Sequence, residues 1–273
     1  FDKKLIFRIG KSAPTYNFGN VSKPLPLDED KMNIPAVSGL IFTPLFVNST
    51  MLGVMPGYYN SAYGVTMTAA PNKKWYLSLG AFDGSLAEGT QTGLTGPNFD
   101  GNYFYIEETG LAWLLGKNAK PGYIGAGLWQ QTGTLGETPN NTENGATGLY
   151  VYGTQRLWYK DPGQDIRGIS AFYQYGVNNS SVLSNKQYVG TGLTAFGLIG
   201  NRLNDSAGLG MALSWLNQEI YDRRTELMFQ AYYQAQILKS IYAEPVISYI
   251  PTPGASANLD PSWAGTLRLI VLF

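Results

Sequence analysis

The chain has 273 residues, 19 Lys+Arg against 19 Asp+Glu, no cysteine, no histidine, 33 glycines and 19 tyrosines. Zero net charge is unsuited to a nucleic-acid surface, which needs a basic excess, so no nucleic-acid partner is expected. Without Cys or His there is no disulfide, no thiolate, no His-based triad and no common ligand for zinc, copper or haem iron; no catalytic residue, metal site or cofactor is expected, and the chain reads as a non-enzyme.

The first segment, FDKKLIFRIG, reads as a strand with Leu5, Phe7 and Ile9 on one face and Lys4, Ile6 and Arg8 on the other. It lacks the apolar core and small-residue cleavage site of a signal peptide, so the chain is expected to open inside a structure, N-terminally incomplete. A long Pro- and Asn-rich stretch follows and reads as an exposed loop. Its Asp28-Glu29-Asp30 run, between Lys23 and Lys31, suits either a solvated surface or a loop folded inward, and falls short of a calcium-loop pattern. Short apolar stretches at Leu40 to Val47 and Thr50 to Met55 are candidate strands.

From Tyr63 the alternation becomes regular. YGVTMTAA, KWYLSLGAF, YFYIEETGLAWLL, YIGAGLWQQTG, LYVYGTQRLWY and RGISAFYQYG are separated by turns or Gly/Asn/Pro loops. Lys186 to Ile199, Ala207 to Trp215, Thr225 to Ile237, Ile241 to Ile250 and Trp263 to Phe273 complete about 13 candidate spans. Helical periodicity is scarce, no apolar run approaches the roughly 18 to 20 residues of a spanning helix, and the chain is all-β. Pro245 removes a ladder donor and predicts a bulge or irregularity.

One row of each strand is oily while the other is small or hydrogen-bonding. In Thr225 to Ile237 the odd positions are Leu227, Phe229, Ala231, Tyr233, Ala235 and Ile237, against Glu226, Gln230, Gln234 and Gln236. In the terminal strand, Trp263, Leu267, Leu269, Val271 and Phe273 share a row opposite Arg268. A soluble sandwich also alternates, although its outer rows would carry more Lys and Glu. Strands about ten residues long, aromatic residues near their ends and unequal polar connections suit a transmembrane antiparallel β-barrel, since unpaired backbone groups are costly in a bilayer and a sheet there must close. Periodicity alone leaves both architectures open.

Several stretches, in order, resemble the carbohydrate-selective porins of the OprB type: FRIGKSAPTYNFG, YGVTMTAAPNKKWYLSLGAFDG, YIGAGLWQQTG with GLYVYGTQRLW, GLTAFGLIGNRLNDSAGLGMALSW, and ELMFQAYYQAQILKSIYAEPVISYIPTPG closed by WAGTLRLIVLF. The resemblance covers nearly the whole chain and matches the family's C-terminal two-thirds or so. It implies a single barrel domain over 1–273 in a family that uses sixteen strands, with the first few strands missing here. It further implies passive diffusion of monosaccharides and other small carbohydrates through a Gram-negative outer membrane. Expected partners are small carbohydrates, outer-membrane lipids and lipopolysaccharide, and the barrel assembly machinery, which would read the last strand ending in Phe273. A non-transporting structural barrel and a general small-solute porin are the alternatives, and the oligomeric state stays open.

Passive passage needs no nucleophile, only walls that bind solute weakly enough to release it. Alternation places Arg8, Arg156, Glu226, Gln230, Gln234, Glu244 and Arg268 opposite oily rows, where a lumen is the cheap location for polarity at membrane depth; each suits either solute contact or pairing across the wall. Arg156 is placed on one row with Tyr150, Tyr152, Thr154 and Trp158. Of the adjacent Glu107 and Glu108, only one can face inward, and the other is expected near a rim. Arg202 and Asp205 in GNRLNDSAG read as a turn-stabilising pair, and Trp75, Trp215, Trp263 and Phe273, with the tyrosines, as interface aromatics.

Overall fold

The alternation is realised in twelve strands: β1 (Leu5–Ser12), β2 (Ala62–Asn72), β3 (Trp75–Asp83), β4 (Tyr103–Leu115), β5 (Lys120–Leu135), β6 (Glu143–Tyr159), β7 (Gly168–Asn178), β8 (Asn185–Phe196), β9 (Ser206–Leu216), β10 (Thr225–Leu238), β11 (Ile241–Ile250) and β12 (Ser262–Val271). The structure is a computed structural model and describes residues 5–21, 49–56, 61–88, 96–136, 141–163 and 167–271. Each strand pairs antiparallel with its chain neighbour in one continuous sheet, β1 to β12. Neighbour-only pairing is what short turns between long strands favour. Among the described residues β1 and β12 do not pair with each other, so the sheet has two free edges and four strands fewer than the sixteen expected of the family.

One candidate span, Thr50 to Met55, changes. Ser49–Met51 is a short 3-10 turn, because Val54 and Met55 donate back to the carbonyl of Met51 and the segment packs as a compact plug of buried apolar side chains. Leu40 to Val47, the acidic run at 28–30 and Phe273 lie outside the described residues. Pro245 causes no bulge: it sits opposite Leu267 in an unbroken β11–β12 register. Its cost falls on the other side, where the β10–β11 ladder lacks the pairs at Tyr233 and Gln234 and resumes at Ala235 with Ala243.

An up-and-down sheet has two kinds of end. The β1–β2, β3–β4, β5–β6, β7–β8, β9–β10 and β11–β12 connections leave and rejoin the sheet at one, and the β2–β3, β4–β5, β6–β7, β8–β9 and β10–β11 connections at the other. Its two faces differ as sharply. In β4, Phe104, Ile106, Glu108 and Ala112 are buried while Tyr105, Glu107, Thr109 and Leu111 are exposed. The exposed face is mostly oily: Phe7, Leu128, Leu209, Phe229 and Ile247 all lie open, and Leu267 reaches 74% exposure. An apolar surface of this extent needs a nonaqueous neighbour, which a bilayer supplies.

The inner face is filled by rings that lie over glycines. Tyr76 stands opposite Gly110, Tyr152 opposite Gly125 and Tyr150 opposite Gly127. A Cβ on Gly110 would come within 2.3 Å of the Tyr76 ring, and one on Gly127 within 2.3 Å of the Tyr150 ring, so the missing side chains are the space the rings occupy. The segment after β1 also covers this face, with Phe18 fully buried against Gly80. The far end of the same connection is held at the β7–β8 end, where Asn178 Nδ2 donates to the Thr50 carbonyl at 2.8 Å.

Candidate pore wall and constriction

Glu108 is the centre of the inner wall. It stands on β4 at 1% exposure and accepts hydrogen bonds from Tyr76 OH at 2.6 Å, Tyr150 OH at 2.9 Å and the backbone N–H of Gly19 at 2.6 Å. The Tyr123 hydroxyl joins those of Tyr76 at 2.5 Å and Tyr152 at 2.8 Å, extending the network over β3, β4, β5 and β6. Tyr76 and Tyr123 stack with ring centroids 6.3 Å apart. A buried carboxylate is tolerable only when donors replace its water shell, and here two phenols and an amide do so. The amide belongs to the connection between β1 and β2, so the same contact ties that connection onto the wall.

The sheet resolves the adjacent glutamates, but not as expected for both. Glu108 faces inward; Glu107 lies on the outer row between Leu79 and Leu128 rather than at a rim. The inward tyrosines are likewise a correction to their reading as interface aromatics. Tyr76, Tyr123, Tyr150, Tyr152, Tyr188 and Tyr232 are all buried on the inner face; for Tyr150 and Tyr152 the signals in the chain are the row they share with Arg156 and the pairing of YIGAG with YVYG, glycine opposite ring.

The other inner residues divide into a paired set and a separate arginine. Glu244, with its side chain at 0% exposure, accepts from Arg268 Nη1 at 2.7 Å and from Gln234 Nε2 at 2.8 Å, linking β10, β11 and β12. Gln230 donates to Ser248 Oγ at 2.9 Å. Arg8 donates to Asn17 Oδ1 at 3.2 Å, and Glu226 accepts from the N–H of Gly254 at 2.7 Å in the 251–261 connection. Arg156 is buried and lies 5.1 Å from the Tyr159 ring centroid. A register shift between Arg156 and Trp158 removes Trp158 from the arginine's row and leaves it exposed on the outer face beside Leu157, because the bulge spends one residue without advancing the pleat.

The outer aromatics sit near strand ends. Trp75 donates through Nε1 to Thr109 Oγ1 at 2.9 Å at the short-turn end. Trp263 is 68% exposed and stacks on Tyr249 with centroids 4.4 Å apart at the long-connection end. Trp215, paired with Thr225, is half-buried at that same end.

In the 197–205 turn Arg202 donates through Nε and Nη2 to Asp205, which also accepts from Tyr233 OH and, at 2.9 Å, from the N–H of Gln236. Desolvation pushes the Asp205 pKa up, but the Arg202, Tyr233 and Gln236 donors outweigh it and hold the pKa below the usual carboxylate value. A lowered folded-state pKa means that this stabilisation is full above the unfolded value of about 3.9 and is lost as pH falls through the lowered value. The melting temperature of the wild type should therefore fall more steeply below pH 4 than that of Asp205→Asn, measured by thermal unfolding in detergent from pH 6 to pH 2; parallel profiles would refute the role.

Comparison with known proteins agrees with this architecture. A family model described as "Carbohydrate-selective porin, OprB family" matches residues 44–273. The high-pH structure of Pseudomonas putida OprB superposes with a TM-score of 0.77 at 19% identity, covering 99% of this chain and 70% of that one. The low-pH structure of the same protein gives a TM-score of 0.51 at 19% identity, covering 77% of this chain and 55% of that one. No curated protein sequence matches the chain. The family match takes in most of the chain, including every strand from β2 onward, and the protein therefore belongs to the OprB family of carbohydrate-selective porins, pore-forming proteins of the bacterial outer membrane and not enzymes.

Proposed function

We propose that the protein passes monosaccharides and other small carbohydrates across the outer membrane, by diffusion along the inner face of a barrel that further strands close. Outer-membrane barrels place their short turns in the periplasm and their longer loops outside, which orients the 13–61 connection towards the exterior. Four more strands between the free edges of β1 and β12 would reach the sixteen of the family, and they accord with a chain that spans 70% of the longer Pseudomonas putida OprB. Closure also relieves two rows of unpaired backbone groups that a bilayer cannot satisfy.

The observation that carries the reading is the Gly19 segment tied to Glu108 on a wall of tyrosines. A chain segment drawn across the inner face narrows the path at that level. Hydroxyls, amides and ring faces are the surfaces that hold a sugar weakly, through hydrogen bonds to its hydroxyls and contact with its apolar ring faces. Arg8, Arg156, Glu226, Gln230, Gln234, Glu244 and Arg268 supply further polarity on the same face. Lipopolysaccharide and phospholipid would cover the oily outer face, and the barrel assembly machinery would engage the β12 end of the chain.

Planar-bilayer recording of the full-length protein tests the reading. Discrete conductance steps are expected, with current reduced by millimolar glucose in a saturable way. Steps that no sugar reduces favour a general small-solute porin, and a lack of any conductance favours a structural barrel.

A further inference from the structure

Away from the strand ends, the outward residues of the described strands are apolar, small or uncharged, with one exception: Glu107 on β4. It is exposed between Leu79 and Leu128, and no described residue gives its carboxylate a hydrogen bond or an ion pair. Counted from Tyr103 at the start of β4, it lies about 10 Å below the exterior end of the strand, at ~3.4 Å per residue and a tilt of about 40°. A carboxylate at that depth is unfavourable against hydrocarbon alone.

Glu107 stands on the wall of a hollow of about 930 Å³ in this outer face, within the roughly 300–1,000 Å³ that ligand sites occupy. The lining is graded along the strands. Met67, Leu79, Leu128 and Leu149 share the level of the glutamate, while Tyr105, Gln130 and Thr147, paired in that order, stand one pleat nearer the exterior. The Gln130 amide has no described partner either. A second hollow of about 410 Å³ adjoins on the β1 side, sharing Val65, Ala81 and Tyr105 and walled by Tyr63, Phe99 and Tyr103; the Tyr63 ring carries Lys11 Nζ 5.3 Å from its centroid. Oil towards the midplane, amide and hydroxyl above it and a cation near the outer end match the polarity of an amphiphile standing in the exterior leaflet. A second copy of the chain would bring its own oily row, with no cation at membrane depth to meet the carboxylate.

We infer that this groove is a binding site for one outer-leaflet glycolipid whose acyl chains are amide-linked and hydroxylated. The chains lie against Leu79, Leu128 and Leu149, an amide N–H or a chain hydroxyl donates to Glu107, Gln130 and Thr147 meet the polar linkage above, and Lys11 stands near a headgroup phosphate. Donors beneath the headgroup set such a lipid apart from a diacyl phospholipid, whose ester linkages only accept. The inference rests on the reading that lipopolysaccharide and phospholipid cover the outer face, and is independent of diffusion through the pore, since Glu107 points away from the path.

Full-length protein in detergent, titrated with lipid A and separately with dimyristoyl phosphatidylethanolamine, tests the site, with bound lipid counted by native mass spectrometry. Lipid A should bind about tenfold tighter than the phospholipid, as a charge-assisted contact adds to shared chain contacts. Glu107→Leu should weaken lipid A about tenfold and leave phosphatidylethanolamine within about twofold. Glu107→Gln, which keeps a carbonyl acceptor at the same reach, should stay within about threefold of the wild type for lipid A. Both variants should retain heat-modifiable migration and wild-type conductance. Lipid A bound no better than phosphatidylethanolamine, or a preference that survives Glu107→Leu, overturns the site. So does an oligomer in lipid-free detergent that Glu107→Leu dissociates, which would give the groove to a second copy. Lipid A binding that follows these variants in a protein without conductance keeps the site and refutes the pore.

Discussion

Glu108→Ala should lower the unfolding free energy by about 3 to 5 kcal/mol and raise single-channel conductance in the same protein. The carboxylate accepts from two phenols and from the Gly19 amide, all buried, and alanine takes that acceptor from the Tyr150 hydroxyl and the Gly19 N–H, while the Tyr76 hydroxyl keeps the Tyr123 hydroxyl beside it. The stability loss comes from donors stranded in a dry wall; the conductance gain comes from releasing the segment that Gly19 anchors. Glu108→Gln keeps one acceptor oxygen and much of the shape, so about half the loss is expected, with a smaller conductance change. Urea unfolding in lipid vesicles and recording in planar bilayers provide the two readouts. A stable alanine variant with unchanged conductance would mean that the Gly19 segment is held by its apolar packing, Phe18 above all, and not by the carboxylate.

The second large effect concerns the last two strands and has an order that geometry dictates. Glu244 is fully buried, whereas the Arg268 side chain keeps 37% of its exposure. Removing Arg268 leaves a buried carboxylate with the Gln234 amide as its remaining donor, while removing Glu244 leaves an arginine that can reach water. Arg268→Ala is therefore expected to cost about 3 kcal/mol and Glu244→Ala about half as much, because breaking a buried pair is expensive in proportion to how deeply the surviving charge lies. The variants should also move ion selectivity in opposite directions, Arg268→Ala towards cations and Glu244→Ala towards anions, if both line the path. Reversal potentials across a salt gradient measure this. Equal losses of stability with unmoved reversal potentials would reduce the pair to a clasp between β11 and β12.

Glu108 also shows how far the chain could be read unaided. Period-two alternation separates an oily row from a polar one in nearly every strand, and the bounds of β8, β9, β10, β11 and β12 fall within a few residues of those expected. It requires that one of Glu107 and Glu108 point inward, yet parity cannot say which, since both rows of YFYIEETGLAW mix polar and apolar residues. The sheet decides through neighbours: Glu108 meets Tyr76, Tyr150 and the Gly19 amide, and Glu107 meets Leu79 and Leu128. The tyrosines went astray for a related reason. A tyrosine suits a membrane interface and a polar wall equally well, and only a glycine on the adjoining strand makes room for its ring inside.

Composition and alternation alone determined the all-β class, the two unlike faces, the lack of Cys and His chemistry and the inward placement of Glu244 and Arg268, because each of these depends on residue type or on local parity. The register between strands, the contact of Gly19 with Glu108 and the bulge that turns Trp158 outward were decided by tertiary structure. Those features depend on which residues stand opposite one another across a sheet, and that information belongs to pairs of strands and not to any one of them.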